Sequence, residues 1–273
     1  MGKFDGILIC TDLDGTLLRR NKTISEENLR AIEYFKSEGG RFTFITGRMP
    51  YFVSSIYETV EPNAPFGCIN GGGLYDHVAK RYVWAETLPR EAIALAEYAD
   101  RNIPGLGIQI NTLHVLYFCR ENEAMVRFRR ATGMPNITCE FEDVHEPIGK
   151  ILFGDTDPGK LERLAELLQS HPIADHFDFI RSEAILYEIL PKGISKGTAL
   201  QKLCEVLNLP IERSIAIGDY DNDIGMLRAA GIGVAVSNAS AGAKAAADYV
   251  TVSNEEHAIA RVIAELDSGA LRF

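Results

Sequence analysis

Apolar and polar positions alternate along this chain in two recurring patterns. Gly6-Ile-Leu-Ile-Cys-Thr11 is a short continuous apolar run closed by Asp12, the pattern of a strand buried on both faces of a parallel sheet. Ser25-Glu26-Glu27 then offers an N-cap with acids in the first turn, Leu29, Ile32 and Phe35 recur at helical spacing, and Gly39-Gly40 stops the helix. Residues 41–45 read as a second strand and 66–69 as a third, with a helical stretch between them. The same alternation returns near the C-terminus. Leu200, Leu203, Cys204 and Leu207 mark a helix, residues 214–217, 232–236 and 249–252 mark strands, and Ile259, Val262, Ile263 and Leu266 mark a final helix.

Between these halves the pattern changes to paired strands at 114–119 and 184–190, mixed with helices, of which the one carrying Leu161, Leu164, Ala165 and Leu168 is the clearest. The fold class expected is α/β: a doubly wound parallel sheet from residues 1–83 and 190–273, with a smaller α/β domain inserted at 84–189. A length of 273 residues with 46% apolar composition suits two moderate domains.

Charge narrows the partners. There are 28 basic and 38 acidic side chains, a net of -10, and no run of Lys or Arg that could track a nucleic-acid backbone. A small phosphorylated molecule remains compatible, because a metal or a few cations can make one pocket positive. The five cysteines (Cys10, Cys68, Cys119, Cys139, Cys204) are odd in number and form no CxxC pair, so they read as reduced, mostly core residues. No stretch reaches the roughly 18 apolar residues of a membrane span, and Met1 to Gly6 lacks a leader pattern. A cytoplasmic protein, monomeric or a weak homo-oligomer, is the expectation.

In an open parallel sheet, ligands bind beyond the carboxyl ends of the strands, which directs attention to three clusters. They are Asp12-Leu-Asp14-Gly-Thr16, Thr46-Gly47-Arg48 and Gly218-Asp219-Tyr-Asp-Asn222-Asp223. Two carboxylates two residues apart at a buried strand end would repel, and a divalent cation removes that penalty. Asp12, the backbone carbonyl at Asp14 and the carboxylate of Asp219 offer hard oxygen ligands of the kind magnesium prefers. With its charge neutralised, Asp12 can attack phosphorus, while Asp14 protonates the departing oxygen and later activates water. Thr46, Arg48 and Lys196 are candidate phosphoryl binders. Lys196 breaks a local rule: a cation in the first turn of a helix capped by Ser195 is disfavoured by the dipole unless an anion relieves it.

Simpler readings compete. An EF-hand at Asp12 is excluded by the strand leading into it, and Asp219-Tyr-Asp221-Asn-Asp223 lacks the glycine and glutamate of a calcium loop. Thr46-Gly47-Arg48 alone could be a solvated turn, and Lys196 alone a surface side chain. Asn70-Gly-Gly-Gly73 reads as a flexible turn leading to the inserted domain. Phe177 and Phe179 read as core packing, and no histidine has metal-ligand spacing.

The clusters in this order resemble the haloacid dehalogenase superfamily of phosphohydrolases, and Asn70-Gly-Gly with Leu190-Pro-Lys-Gly-Ile-Ser-Lys196-Gly resembles its Cof-type branch. The resemblance implies a Rossmann-like core whose inserted α/β cap closes over the site and selects the leaving group. It implies Asp12 as nucleophile, Asp14 as acid/base, Thr46 and Lys196 as phosphoryl binders, and Asp219 as a magnesium ligand. It further implies that Asn222 reaches the phosphate or substrate and that Asp223 supports the metal through waters or Lys196, which the residues alone do not separate. The expected activity is magnesium-dependent hydrolysis of small phosphate monoesters, sugar phosphates or similar metabolites. A phosphomutase, or a phosphosugar-binding regulator without turnover, would share these motifs.

Overall fold

The computed structural model describes residues 2–132 and 137–273. The chain divides into two compact units, Met1–Trp84 with Ser195–Phe273, and Ala85–Ile194.

The first unit is built on a five-stranded parallel sheet in the order Tyr249–Val250, Ile232–Ala235, Ser214–Gly218, Leu8–Thr11, Arg41–Phe44. Leu8–Thr11 lies between Ser214–Gly218 and Arg41–Phe44 and is buried along its length, as its unbroken apolar run demands. The chain winds away from this strand in both directions. Its carboxyl end is therefore the switch point at which connections diverge and a crevice opens. Helix Glu26–Ser37 is capped by Ser25, whose side chain accepts from the Asn28 N–H, and it packs on helix Ala258–Ser268. Its buried stripe is Asn28, Ile32 and Phe35, with Leu29 only half-buried. Asn28 turns inward because its Oδ1 accepts from the Ala260 N–H across the helix pair, at 3.0 Å.

The third expected strand is shorter, Phe66–Cys68, and it starts a three-stranded sheet with Gly73–Asp76 and Arg81–Ala85. A parallel bridge between Ile45 and Gly67 ties it to the main sheet. The turn between its first two strands is not the flexible connection expected from its glycines. Ile69, Asn70 and Gly71 are buried, with φ of 56°, 53° and 102°. A β-branched residue at positive φ is strained, so packing must hold this turn in place.

The second unit carries an antiparallel sheet in the order Leu116–Arg120, Gly107–Thr112, Ile148–Gly154, Leu186–Pro191, Phe177–Glu183. Ile108, Ile110, Ile151, Phe153, Tyr187 and Ile189 join an apolar cluster with Leu95 and Ala96 of helix Glu91–Asn102 and Leu161 and Leu164 of helix Pro158–Gln169. Phe177 belongs to this core and Phe179 packs against it. The expected strand at 114–119 begins two residues later, because Thr112 Oγ1 accepts from the Val115 N–H at 2.9 Å and closes a turn there. Leu190 and Pro191 stay in strand register with Asp178 and Phe177, and the compact unit runs on to Ile194. All five cysteines are free, four buried and Cys139 half-buried. Among the described residues, no helix is long and apolar enough to cross a membrane.

Candidate active site

Asp12 is the first residue beyond strand Leu8–Thr11, fixed by its N–H donating to the Ile217 carbonyl of the neighbouring strand at 2.8 Å. The residue is 6% exposed. Lys196 Nζ donates to Asp12 Oδ1 and to Asp223 Oδ1, each at 2.5 Å. That lysine is 1% exposed, so it is no surface cation. Its place is set by the start of helix Lys196–Leu207. Ser195 Oγ accepts from the Thr198 N–H at 3.1 Å, and Thr198 Oγ1 accepts from the Ser195 N–H at 2.9 Å.

The third cluster follows strand Ser214–Gly218. Asp223 Oδ2 accepts from the N–H groups of Asp219 at 2.8 Å and Tyr220 at 3.0 Å, folding the loop around its own carboxylate. Gly218 is required here, since a Cβ on it would sit 2.6 Å from Asp223 Cβ. Thr16 Oγ1 donates to Asp219 Oδ1 at 3.0 Å, which ties the first cluster to the third. Gly15, at φ +86°, passes so close to the Asp219 carboxylate that no side chain fits between them.

Carboxylate oxygens of Asp12, Asp219 and Asp223 lie within 4.8 Å of one another. Burial lifts the Asp12 carboxyl well above its ordinary range; Lys196 pulls against this, while Asp223 and Asp219 add to it. Asp219 is pushed up to about 6, by burial first and then by Asp223. Burial favours the neutral amine of Lys196, but Asp12 and Asp223 outweigh it and hold the lysine above its usual value. Three hard carboxylates, two of them on one buried ammonium, make a donor set that fits a divalent cation, which would relieve the repulsion left between them.

Asp14 points elsewhere. Arg48 grips its carboxylate through Nε at 2.9 Å and a terminal nitrogen at 2.7 Å, and Lys22 Nζ adds a third contact at 2.7 Å. Burial pushes this carboxyl up, but the hydrogen bonds and charges of Arg48 and Lys22 prevail and hold it below the usual range. The Asp14 side chain is thus outside the three-carboxylate group, and Arg48 is engaged with Asp14.

Thr46 is buried, its N–H donating to the Gly67 carbonyl at 3.0 Å and its Oγ1 accepting from the Arg48 N–H at 3.3 Å. Gly47 lies against Asn70, whose Oδ1 would be 2.7 Å from any Cβ at that position. Asn222 Nδ2 donates to the same Asn70 Oδ1 at 3.2 Å.

The predicted residues therefore form three linked groups: Asp12, Lys196, Asp219 and Asp223; Asp14 with Arg48; and Thr46, Gly47 and Asn222 around Asn70. Sequence reasoning missed Lys22, which stands in a polar connection without motif spacing. It also missed Asn238, whose Nδ2 donates to the Gly15 carbonyl at 2.8 Å, and Ser240, whose N–H donates to the Asp219 carbonyl at 2.8 Å. Both lie beyond the next strand, and nothing in their local sequence signals the contact. Asp221 is held by Ser240 Oγ at 2.6 Å, away from the carboxylate group.

The model of the haloacid dehalogenase-like hydrolases matches residues 9–263. A 5-amino-6-(5-phospho-D-ribitylamino)uracil phosphatase of Bacillus subtilis is 30% identical over 94% of this chain and 96% of its own. A pyridoxal phosphate phosphatase of Escherichia coli is 30% identical over 94% of this chain and 97% of its own. Among solved structures, a haloacid dehalogenase-like hydrolase from Bacteroides thetaiotaomicron superposes with a TM-score of 0.84 at 28% identity, covering 95% of this chain and 99% of that one. The parallel sheet, the polar clusters at its strand ends and a match spanning nearly the whole length agree: this chain belongs to the haloacid dehalogenase-like hydrolases.

Proposed function

We propose that this chain is a magnesium-dependent phosphatase of small phosphate monoesters that works through an aspartyl phosphate on Asp12. The observation that carries the reading is a buried carboxylate at the switch-point strand end, gripped by Lys196 within a group of three carboxylates. Asp12, Asp219 and Asp223, with the backbone carbonyl at Asp14, would hold the magnesium ion. The ion supplies charge neutralisation, so that an anionic nucleophile can approach an anionic ester.

A carboxylate oxygen of Asp12 attacks phosphorus, and the ester P–O bond breaks. Asp14 gives its proton to the leaving oxygen, then removes a proton from the water that attacks the acyl phosphate and frees Asp12 and orthophosphate. Lys196, Thr46, the Gly47 backbone, Arg48 and Asn222 take the phosphoryl oxygens. An arriving phosphate competes with Asp14 for Arg48. Weakening that ion pair raises the proton affinity of Asp14 when an acid is needed.

The two curated relatives act on a phosphorylated ribitylaminouracil and on pyridoxal phosphate, which supports a small polar phosphomonoester, a sugar phosphate or a similar metabolite, as substrate. The inserted unit sets which leaving group is accepted. Phosphate release from an aryl phosphate, with and without magnesium, tests the reading; it should occur only with the metal. Asp12→Asn should lose turnover and keep substrate binding, whereas wild-type-like turnover by that variant would remove Asp12 from the mechanism.

A further inference from the structure

The Asn70-Gly-Gly-Gly73 segment has no part in the chemistry derived above, yet it is the most strained stretch near the site. Ile69 and Asn70 stand consecutively at positive φ, a conformation disfavoured for residues that carry a Cβ and most of all for a β-branched one. Strain of this kind persists only where surrounding contacts over-determine it. Those contacts reach the separate loops of the site. The Ile69 N–H donates to the Arg48 carbonyl and the Asn70 N–H to the Thr46 carbonyl, both at 3.1 Å. Asn70 Oδ1 lies over Gly47 and accepts from Asn222 Nδ2 at 3.2 Å. Gly71, at φ +102°, runs so close to the Ser195 carbonyl that a side chain there would collide with it, and Ser195 caps the helix that begins with Lys196.

We propose that Asn70 is a positioning residue: its carboxamide sets the spacing between the Thr46–Arg48 loop and Asn222, so that both reach the same phosphoryl group. This rests on the phosphatase reading. The left-handed turn brings the side chain to a place that an extended connection from strand Phe66–Cys68 would not reach. Asparagine suits the position because it tolerates positive φ and presents a carbonyl oxygen. At 3% exposure it is an internal strut between two loops.

Asn70→Gly separates the side chain from the strain, because glycine adopts the same backbone conformation without cost. The variant should fold with a melting temperature close to wild type. Its inhibition constant for orthophosphate should rise about tenfold and kcat/KM fall by about tenfold or more, the usual scale for removing a residue that orients a binding group. Half-saturating magnesium should stay unchanged. Because Asn70 acts in part through Asn222, adding Asn70→Gly to Asn222→Ala should raise the orthophosphate constant by a smaller factor than Asn70→Gly does in the wild-type protein. Wild-type phosphate inhibition in Asn70→Gly, or full additivity in the double variant, overturns the proposal while leaving phosphatase turnover intact. A wild-type protein that neither binds orthophosphate nor releases it from esters overturns both.

Discussion

At the scale of single residues, the site is organised by which cation each carboxylate meets. Lys196 is shared between Asp12 and Asp223, and Arg48 with Lys22 holds Asp14. Lys196→Met leaves two buried carboxylates uncompensated, and removing one partner of a buried ion pair costs about 3–5 kcal/mol. Denaturant unfolding should show a loss of that order, partly recovered by magnesium, and an unchanged midpoint would contradict the geometry. For Asp14 the sign follows from its partners: Arg48 and Lys22 hold its carboxyl down, so Arg48→Ala should raise it. The limb of the kcat/KM profile that reports Asp14 should move to higher pH. The place of Asp12 at the end of a buried strand was legible in the sequence, because an unbroken apolar run closed by Asp-Leu-Asp-Gly marks a strand end. Lys22 was not, because its contact with Asp14 depends on the path of a polar loop that no periodicity encodes.

At the scale of elements, each strand end delivers its cluster through a device that packing, more than motif, imposes. Helix Lys196–Leu207 starts where Ser195 and Thr198 cap it, and losing an N-cap hydroxyl costs about 1 kcal/mol. Ser195→Ala should therefore lower stability by about that amount and also shift Lys196, reducing turnover more than loss of the exposed Asp157 cap of helix Pro158–Gln169 would. The serine cap and the apolar spacing of this helix were readable, as was the anomaly of a lysine in its first turn. The Ile69–Gly71 turn was not. A run of glycines signals freedom, and nothing in the sequence says that Ile69 must take a positive φ that its branched side chain resists. Asn70→Ala should be less stable than Asn70→Gly by about 1 kcal/mol, the cost of a Cβ in the left-handed region. Equal melting temperatures would show that the turn relaxes.

At the scale of the molecule, the parallel sheet concentrates negative charge at one rim, and folding must tolerate it. Asp219 has its folded pKa raised to about 6. For an acid raised above its unfolded value, the native state holds the proton more tightly. The stabilising contribution is present below the unfolded pKa near 4 and is lost as pH rises through about 6. Metal-free protein should lose this contribution across that window, Asp219→Asn should not, and magnesium should raise the wild-type melting temperature most near neutral pH. The two-part organisation was legible because the strand–helix alternation stops and restarts. The end of the second unit was not legible, because Leu190 and Pro191 continue a strand whose partner, Asp178 and Phe177, is set by register. The central claim is that the phosphoryl group passes through Asp12. Rapid acid quench during turnover with magnesium, followed by mass mapping, should find one phosphoryl group on the peptide carrying Asp12 and none in Asp12→Asn. Steady turnover with no phosphoryl group on Asp12, or with the group on another residue, would contradict the account.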